Sequence, residues 1–282
     1  MNVRVVSDST CDLPVSLVNQ YGISIIPCYI NFGAESLLDN VEITRADFYH
    51  RIAKTKEIPK TSAPGVGPFS EVYRHLADEG AREIISIHIR KGLSNLANVA
   101  RLAAQSFDRA NVHIVEVGQV AISLGYMVFQ AALDAVAGNS VAAIIERIND
   151  INQRSYLYAA LDSLNFLKHS GRVPSVLVGL ADLFHVKPVL LMRQGAISMV
   201  DRVHTASKQM EVLIKLTQRH VPLEWIGLTH THTADRASQL AQLVKSLFQG
   251  QDEIWVEEAT PILGVHVGPG ALGIACVSSA KI

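Results

Sequence analysis

Aromatic residues make up only 6% of the 282-residue chain, and Asp, Glu, Lys and Arg together only 18%. The charged share lies below the usual quarter of a globular domain. With so few rings, burial falls to Ala, Val, Leu and Ile, which suits helices packed on a parallel sheet. Cysteine is nearly absent: Cys11, Cys28 and Cys276 lie far apart, without CxxC spacing, and are odd in number. That excludes a disulfide framework and points to reduced thiols in a cytoplasmic protein. Apart from the pair Arg90-Lys91 the basic residues are scattered, and the net charge is −1. No concentrated phosphate-facing patch follows, so nucleic acid is not an expected partner. No apolar run approaches the roughly 20 residues of a membrane span. The opening Met1-Asn2-Val3-Arg4-Val5-Val6 has no apolar segment behind a charged one, as a secretory signal would.

Familiar catalytic signatures are also missing. There is no Walker loop and no nucleophile elbow. Gly268-Pro269-Gly270-Ala271-Leu272-Gly273 matches the letters of a dinucleotide fingerprint, but it leads into a strand near the end of the chain. Neither the helix nor the later acidic residue of that motif can follow. It reads as a tight turn that lets backbone pass close to a ligand or another loop. His230-Thr231-His232 sets two imidazoles on one strand face, but no third ligand accompanies them, so no metal is expected.

What is present is a hydrophobic share of 49%, ample for a large core in one or two domains. Short apolar runs alternate with helical patterns. Strands are expected at 3–7, 23–32 (an edge strand or one broken at Pro27), 84–89 and 112–117. Helices are expected from Asp12 to Gly22 with Asp12 as cap, from Thr44 to 54, and at 68–79, 94–107, 121–137 and 140–152; residues 55–67 read as a loop. Strand following helix argues for a parallel sheet covered on both faces. The second half changes character. A strand near 156–161 is followed by short helical segments around Gly171, Pro174 and Gly179. Strands 186–192 and 196–202 flank the turn Gln194-Gly195. Helices at 205–219 and 233–248 surround a strand at 225–229, and strands at 253–257 and 272–278 finish the chain. The expected fold class is thus α/β in two domains: 1–155 with a mainly parallel sheet, and 156–282 with a mixed sheet.

In an open parallel sheet, ligands bind beyond the carboxyl ends of the strands. This chain places hydroxyls there: Ser7-Asp8-Ser9-Thr10 after the first strand, Ser94 after the strand 84–89, and Thr61-Ser62 before the helix at 68. Hydroxyls beside unpaired helix N–H groups favour a carboxylate or phosphate. For any single one of these residues, position alone favours a plain cap of a helix or turn. Taken by themselves, the residues indicate an α/β protein with an anion-friendly cleft.

Several segments together resemble the DegV family of bacterial fatty-acid-binding proteins. They are Ser7-Asp8-Ser9-Thr10-Cys11-Asp12; Thr61-Ser62-Ala63-Pro64 before a helix with Phe69 and Tyr73; Leu93-Ser94; Ser123-Leu124-Gly125; the Gly171-Arg172 segment; Lys187-Pro188-Val189-Leu190; and His266-Val267-Gly268-Pro269-Gly270-Ala271-Leu272-Gly273. The resemblance runs nearly end to end. It implies a long-chain fatty acid such as palmitate held between two α/β domains, its carboxylate gripped by Thr61, Ser62 and Ser94, with Arg172 and His266 close by. It further implies a non-enzymatic carrier without cofactor or metal, monomeric and cytoplasmic, serving phospholipid metabolism by presenting the acid to a separate fatty acid kinase.

The sequence departs from the family pattern in places. Ser94-Asn95-Leu96 stands where Ser-Gly-Thr is usual, Arg90 where Ser is common, and Gly118-Gln119 where Asp-Ser is usual. These changes are expected to alter the network around the head group. Two other readings remain: a small-anion-sensing regulatory module whose cleft admits no long tail, and a phosphoryl- or acyl-transfer enzyme using His266.

Overall fold

The structure, a computed structural model, describes residues 2–55, 57–172, 186–248 and 253–279. The chain opens with strand β1 (Val3–Asp8), helix α1 (Val15–Tyr21), β2 (Ser24–Ile26), β3 (Tyr29–Phe32) and β4 (Glu35–Leu38). Helix α2 (Arg45–Lys54), β5 (Lys60–Ser62), α3 (Val66–Asp78), β6 (Glu83–Ile89), α4 (Leu96–Gln105) and β7 (Asn111–Val117) follow. Then come α5 (Ala121–Val136) and α6 (Val141–Arg154). The second half holds β8 (Ser155–Ala160), α7 (Asn165–Ser170), β9 (Lys187–Arg193), β10 (Ala196–Val203), α8 (Ala206–Gln218) and β11 (Leu223–His230). It ends with α9 (Ala234–Val244), β12 (Trp255–Glu258), α10 (Pro261–Val267) and β13 (Leu272–Ser278).

The fold is mixed α/β. A four-stranded sheet in the order β2-β1-β6-β7 is parallel throughout. Its near-continuous apolar strands are those of a sheet covered on both faces: Ile84, Ile85 and Ile87 on β6 have no exposed surface. The second sheet, β10-β9-β8-β13-β11-β12, is antiparallel except for the β11–β12 pair. A small antiparallel sheet, β4-β3-β5, completes the set.

Helix α5 is hydrophobic almost all round and packs against β1 on one side and β8, β11 and β13 on the other. An element of that kind belongs in the middle of a core. One apolar cluster accordingly runs from Val3 and Val5 through Ile122 and Leu124 to Trp225 and Val277. A second cluster lies between the six-stranded sheet and helices α8 and α9, with Leu213, Leu240 and Ile274 at its centre.

Several local expectations differ from what forms. Pro27 does break the second strand, separating β2 from β3. The segment 55–67 is not all loop, because Lys60–Ser62 pairs with β3 as a third strand. Helix α10, at a place where the sequence pattern predicts no element, starts on Pro261, whose fixed φ suits a first helical turn. Asp12 does not cap α1. Pro14 occupies the cap position, and no side chain bonds there. The carboxylate of Asp12 points away into the core instead. Nor do His230 and His232 share a strand face: β11 ends at His230, while His232 takes φ 53° and leaves the strand. The segments expected around Pro174 and Gly179 lie outside the described residues.

Candidate functional site

Two adjoining cavities occupy the space between α7, α10, the β9–β10 hairpin and the carboxyl ends of β1 and β6. The first, about 140 Å³, is walled by Thr61, Ser62, Ser94, Arg172 and His266 among others. All five residues singled out in the sequence therefore face one chamber. The second, about 110 Å³, is walled by the apolar side chains of Leu157, Ala159, Leu161, Leu190, Ala271 and Leu272, with Asp12, Thr229 and His230 behind. Val120, Leu167, Met192, Ile197, Leu263 and Val267 line both and form the neck between them. Each space is far larger than the roughly 15 Å³ needed for one water, so neither is a packing defect.

Each polar residue is placed by a local device. Thr61 and Ser62 sit on β5 opposite Ile30 and Tyr29. The Ser62 hydroxyl accepts from Asn31 Nδ2 at 3.2 Å. Ser94 lies in the turn after β6, where its Oγ accepts the Leu96 N–H at 3.3 Å at the start of α4. Ser94 thus closes a local turn ahead of the helix, whose cap position is Asn95, and the same hydroxyl still borders the chamber. Arg172 follows α7 directly, past Gly171 at φ 66°, and its Nη1 donates to the Ser170 carbonyl at 2.6 Å.

His266 is carried by α10. Its Nε2 lies 3.2 Å from Thr61 Oγ1, and its Nδ1 is enclosed without a hydrogen-bond partner. Burial pushes its pKa down to about 4, and the nearby Arg172 guanidinium adds to the shift. The ring is therefore neutral at pH 7. Of the five chamber residues, Arg172 alone brings positive charge.

The start of α10 is held by Asp12. Its Oδ1 accepts the Thr260 N–H at 2.9 Å, and its Oδ2 accepts the Thr229 hydroxyl at 2.8 Å. Burial raises the pKa of Asp12 to about 6, opposed by Arg45 and by these hydrogen bonds. Sequence reasoning missed this role because a capping position explained Asp12 too readily.

Behind the chamber runs a buried polar row that sequence reasoning also missed. Thr10, which lines the chamber, donates its N–H and hydroxyl to Asp8 Oδ1 at 3.0 and 2.5 Å. Asp8 Oδ2 meets His88 Nδ1 at 2.6 Å, His88 Nε2 meets Ser86 Oγ at 2.7 Å, and Ser86 meets the Tyr73 hydroxyl at 2.9 Å. The available signal was Ser86 and His88 at strand period inside an apolar run. The residue types are those of a nucleophile triad, but all three are enclosed and Ser86 is committed to Tyr73. The row joins α3 to the chamber wall.

The departures from the DegV pattern fall in different places. Leu96 lines the chamber, whereas Arg90 and Gly118 contact the β9–β10 turn and Gln119 Nε2 donates to the Ser155 carbonyl at 3.1 Å. Among the described residues no group of three His, Cys, Asp or Glu side chains is placed to hold a metal. Among them, too, no helix is long and apolar enough to cross a membrane.

A family model described as uncharacterised proteins of the DegV family matches residues 2–279. The chain belongs to the DegV family. A DegV domain-containing protein of Streptomyces coelicolor is 30% identical over 280 residues, spanning 98% of this chain and 99% of the relative. One from Deinococcus radiodurans is 31% identical over 284 residues, spanning 98% of both. Among solved structures, a DegV family protein from Thermus thermophilus, described for its fatty acid binding, superposes with a TM-score of 0.90. It is 28% identical and covers 99% of this chain and 100% of its own. DegV of Bacillus subtilis, described as a fatty acid binding protein, superposes with a TM-score of 0.86 at 25% identity, covering 99% of this chain and all of its own. These DegV relatives share the fold over its whole length.

Proposed function

We propose that this DegV family protein binds a long-chain fatty acid, with the carboxylate in the chamber of Thr61, Ser62, Ser94, Arg172 and His266 and the tail through the neck into the apolar chamber. The observation that carries this reading is the asymmetry of the adjoining cavities: hydroxyls, an arginine and a histidine face one, and the exposed wall of the other is apolar throughout. A carboxylate taken out of water costs several kcal/mol unless hydrogen-bonded or paired. Hydroxyl bonds of about 1–3 kcal/mol each, with Arg172 nearby, offset part of that. About 0.8 kcal/mol per buried methylene gives a tail of a dozen or so groups a gross contribution on the order of 10 kcal/mol. Affinity comes from the tail, and orientation from the head.

The same reading makes the protein a monomeric cytoplasmic carrier of two domains, 1–155 and 156–282. It holds a fatty acid such as palmitate as ligand, with no cofactor, and offers the head group to a separate fatty acid kinase. The enzyme reading through His266 has less support: Nδ1 has no partner, so no third group orients the ring as a base. The small-anion reading leaves the apolar chamber without a purpose.

The test is binding of palmitate to delipidated protein, followed by fluorescence or native mass spectrometry. Ser94→Ala and Thr61→Val each weaken binding roughly tenfold if their hydroxyls hold the carboxylate. Full affinity in both variants would remove the head group from this chamber. No binding by the wild type would end the reading altogether. Phosphorylation of the bound acid by an added fatty acid kinase and ATP tests the carrier role separately.

A further inference from the structure

Arg90 and Gly118 converge on the tip of the β9–β10 hairpin. Arg90 Nη1 donates to the Gln194 carbonyl at 3.1 Å, and the Gly195 N–H donates to the Gly118 carbonyl at 2.9 Å. From the other side, Gln194 Nε2 donates to the Asn152 carbonyl at 3.1 Å, while Asn152 Oδ1 accepts the Gly118 N–H at 3.0 Å. The tip itself is a tight turn with Gln194 at φ 53° and Gly195 at φ 78°.

Gly118 is not among the glycines of positive φ, so its backbone does not demand glycine. Its space does. A Cβ at this position would lie 2.5 Å from the Cα and carbonyl carbon of Gln194 and from the nitrogen of Gly195. These are backbone atoms, which cannot rotate aside. Glycine here lets one backbone seat directly on another.

The seat adjoins the neck of the channel. Val120, two residues after Gly118, is one neck wall; Met192 and Ile197, on either side of the hairpin tip, are two more. The hairpin that carries two of these walls is thus the one seated on Gly118.

We propose that Gly118 is a specificity-determining position of the acyl channel: by letting the hairpin tip seat on the end of β7, it keeps the neck narrow and favours straight chains over kinked ones. This rests on the fatty-acid reading above. Any side chain at position 118 lifts the tip, widens the neck and admits a cis-unsaturated chain more easily.

The experiment compares wild type, Gly118→Ala and Arg90→Ala, the last loosening the same seat without a clash. Hydrogen exchange at the Gly195 amide in ligand-free protein reports the seat. Affinities for palmitate and for the cis-9 acid of equal length report the neck. The expected result is faster Gly195 exchange in both variants, with the affinity ratio shifted toward the cis acid by roughly tenfold in Gly118→Ala and less in Arg90→Ala. An unchanged ratio in a folded variant whose Gly195 amide has lost protection overturns the proposal. So does full protection of that amide in Gly118→Ala. If Gly118→Ala does not fold, Arg90→Ala decides. If the wild type binds neither acid, the fatty-acid reading fails, while the Gly195 exchange still shows whether position 118 holds the hairpin.

Discussion

Thr61 Oγ1 and His266 Nε2 lie 3.2 Å apart although 205 residues separate them in the chain. The contact closes the polar chamber between a strand of the first half and a helix of the second. It joins a hydroxyl to an imidazole that burial keeps neutral, so the pair offers hydrogen bonds but no charge. A carboxylate held here takes its charge compensation from Arg172.

The neutral ring has a consequence for stability. In the folded protein the His266 pKa is about 4, against an ordinary 6.5. Between those values the unfolded chain takes up a proton that the folded protein does not. Stability from this group is full above pH 6.5 and is lost as pH falls toward 4. The loss is at most about 1.4 kcal/mol per pH unit. His266→Gln keeps an amide for Thr61 and removes the titration. Urea unfolding at intervals from pH 7.5 to 4.5 should show wild type losing more stability than the variant. Parallel curves would contradict the buried neutral imidazole.

Asp39 predicts the opposite dependence. Both its carboxylate oxygens are buried, and neither makes a hydrogen bond of full geometry, although the Ser9 hydroxyl and the Ile262 N–H stand close enough to favour the charged form. Burial raises its pKa to about 7; the Ser9 hydroxyl, the Ile262 N–H and Arg45 lower it, and Asp12 adds repulsion. Because the folded pKa lies above the ordinary 3.8, stability from this group is present at low pH and is lost as pH rises through 7. Asp39→Asn removes that loss and keeps an oxygen to face the Ser9 hydroxyl and the Ile262 N–H. The variant should match wild type near pH 4 and exceed it at pH 8 by on the order of 2 kcal/mol. An equal difference at both pH values would mean that Asp39 is ionised throughout.

These groups also mark what a single sequence can and cannot convey. Ser94 was legible because a parallel sheet gathers its strand ends on one side, and Thr61 and Ser62 because hydroxyls cluster before a helix; Arg172 and His266 joined them only through the resemblance to the DegV family. Helix α10 was not legible. Its Gly264 breaks the helical pattern, and the glycine is needed there because a Cβ would meet Phe48 at 2.5 Å, a contact from the other half of the chain. Asp12 read as a cap because its partners, Thr229 and Thr260, lie 217 and 248 residues away. Gly118 and Gln119 looked like losses from the head-group site because sequence shows which groups are missing and not which backbone takes their place. Local pattern carries elements and their order; the contacts that aim side chains are long-range.

The last prediction concerns the length of the tail. Ala159 on β8 stands between Leu190 of β9 and Gly273 of β13, with its side chain on the wall of the apolar chamber. Ala159→Phe places a ring in the space assigned to the far methylenes and leaves the polar chamber untouched. If about four methylenes lose their burial, a long acid loses about 3 kcal/mol, or more than a hundredfold in affinity. An acid short enough to end before the ring loses little. Titrating the folded variant with a series of saturated acids should therefore show affinity levelling off at a shorter chain than in wild type. Overpacking can itself cost about 1–3 kcal/mol of stability, so thermal unfolding is measured beside binding. Equal weakening at every length would place the tail elsewhere, since only a ligand reaching that chamber can distinguish a long chain from a short one by what stands at its end.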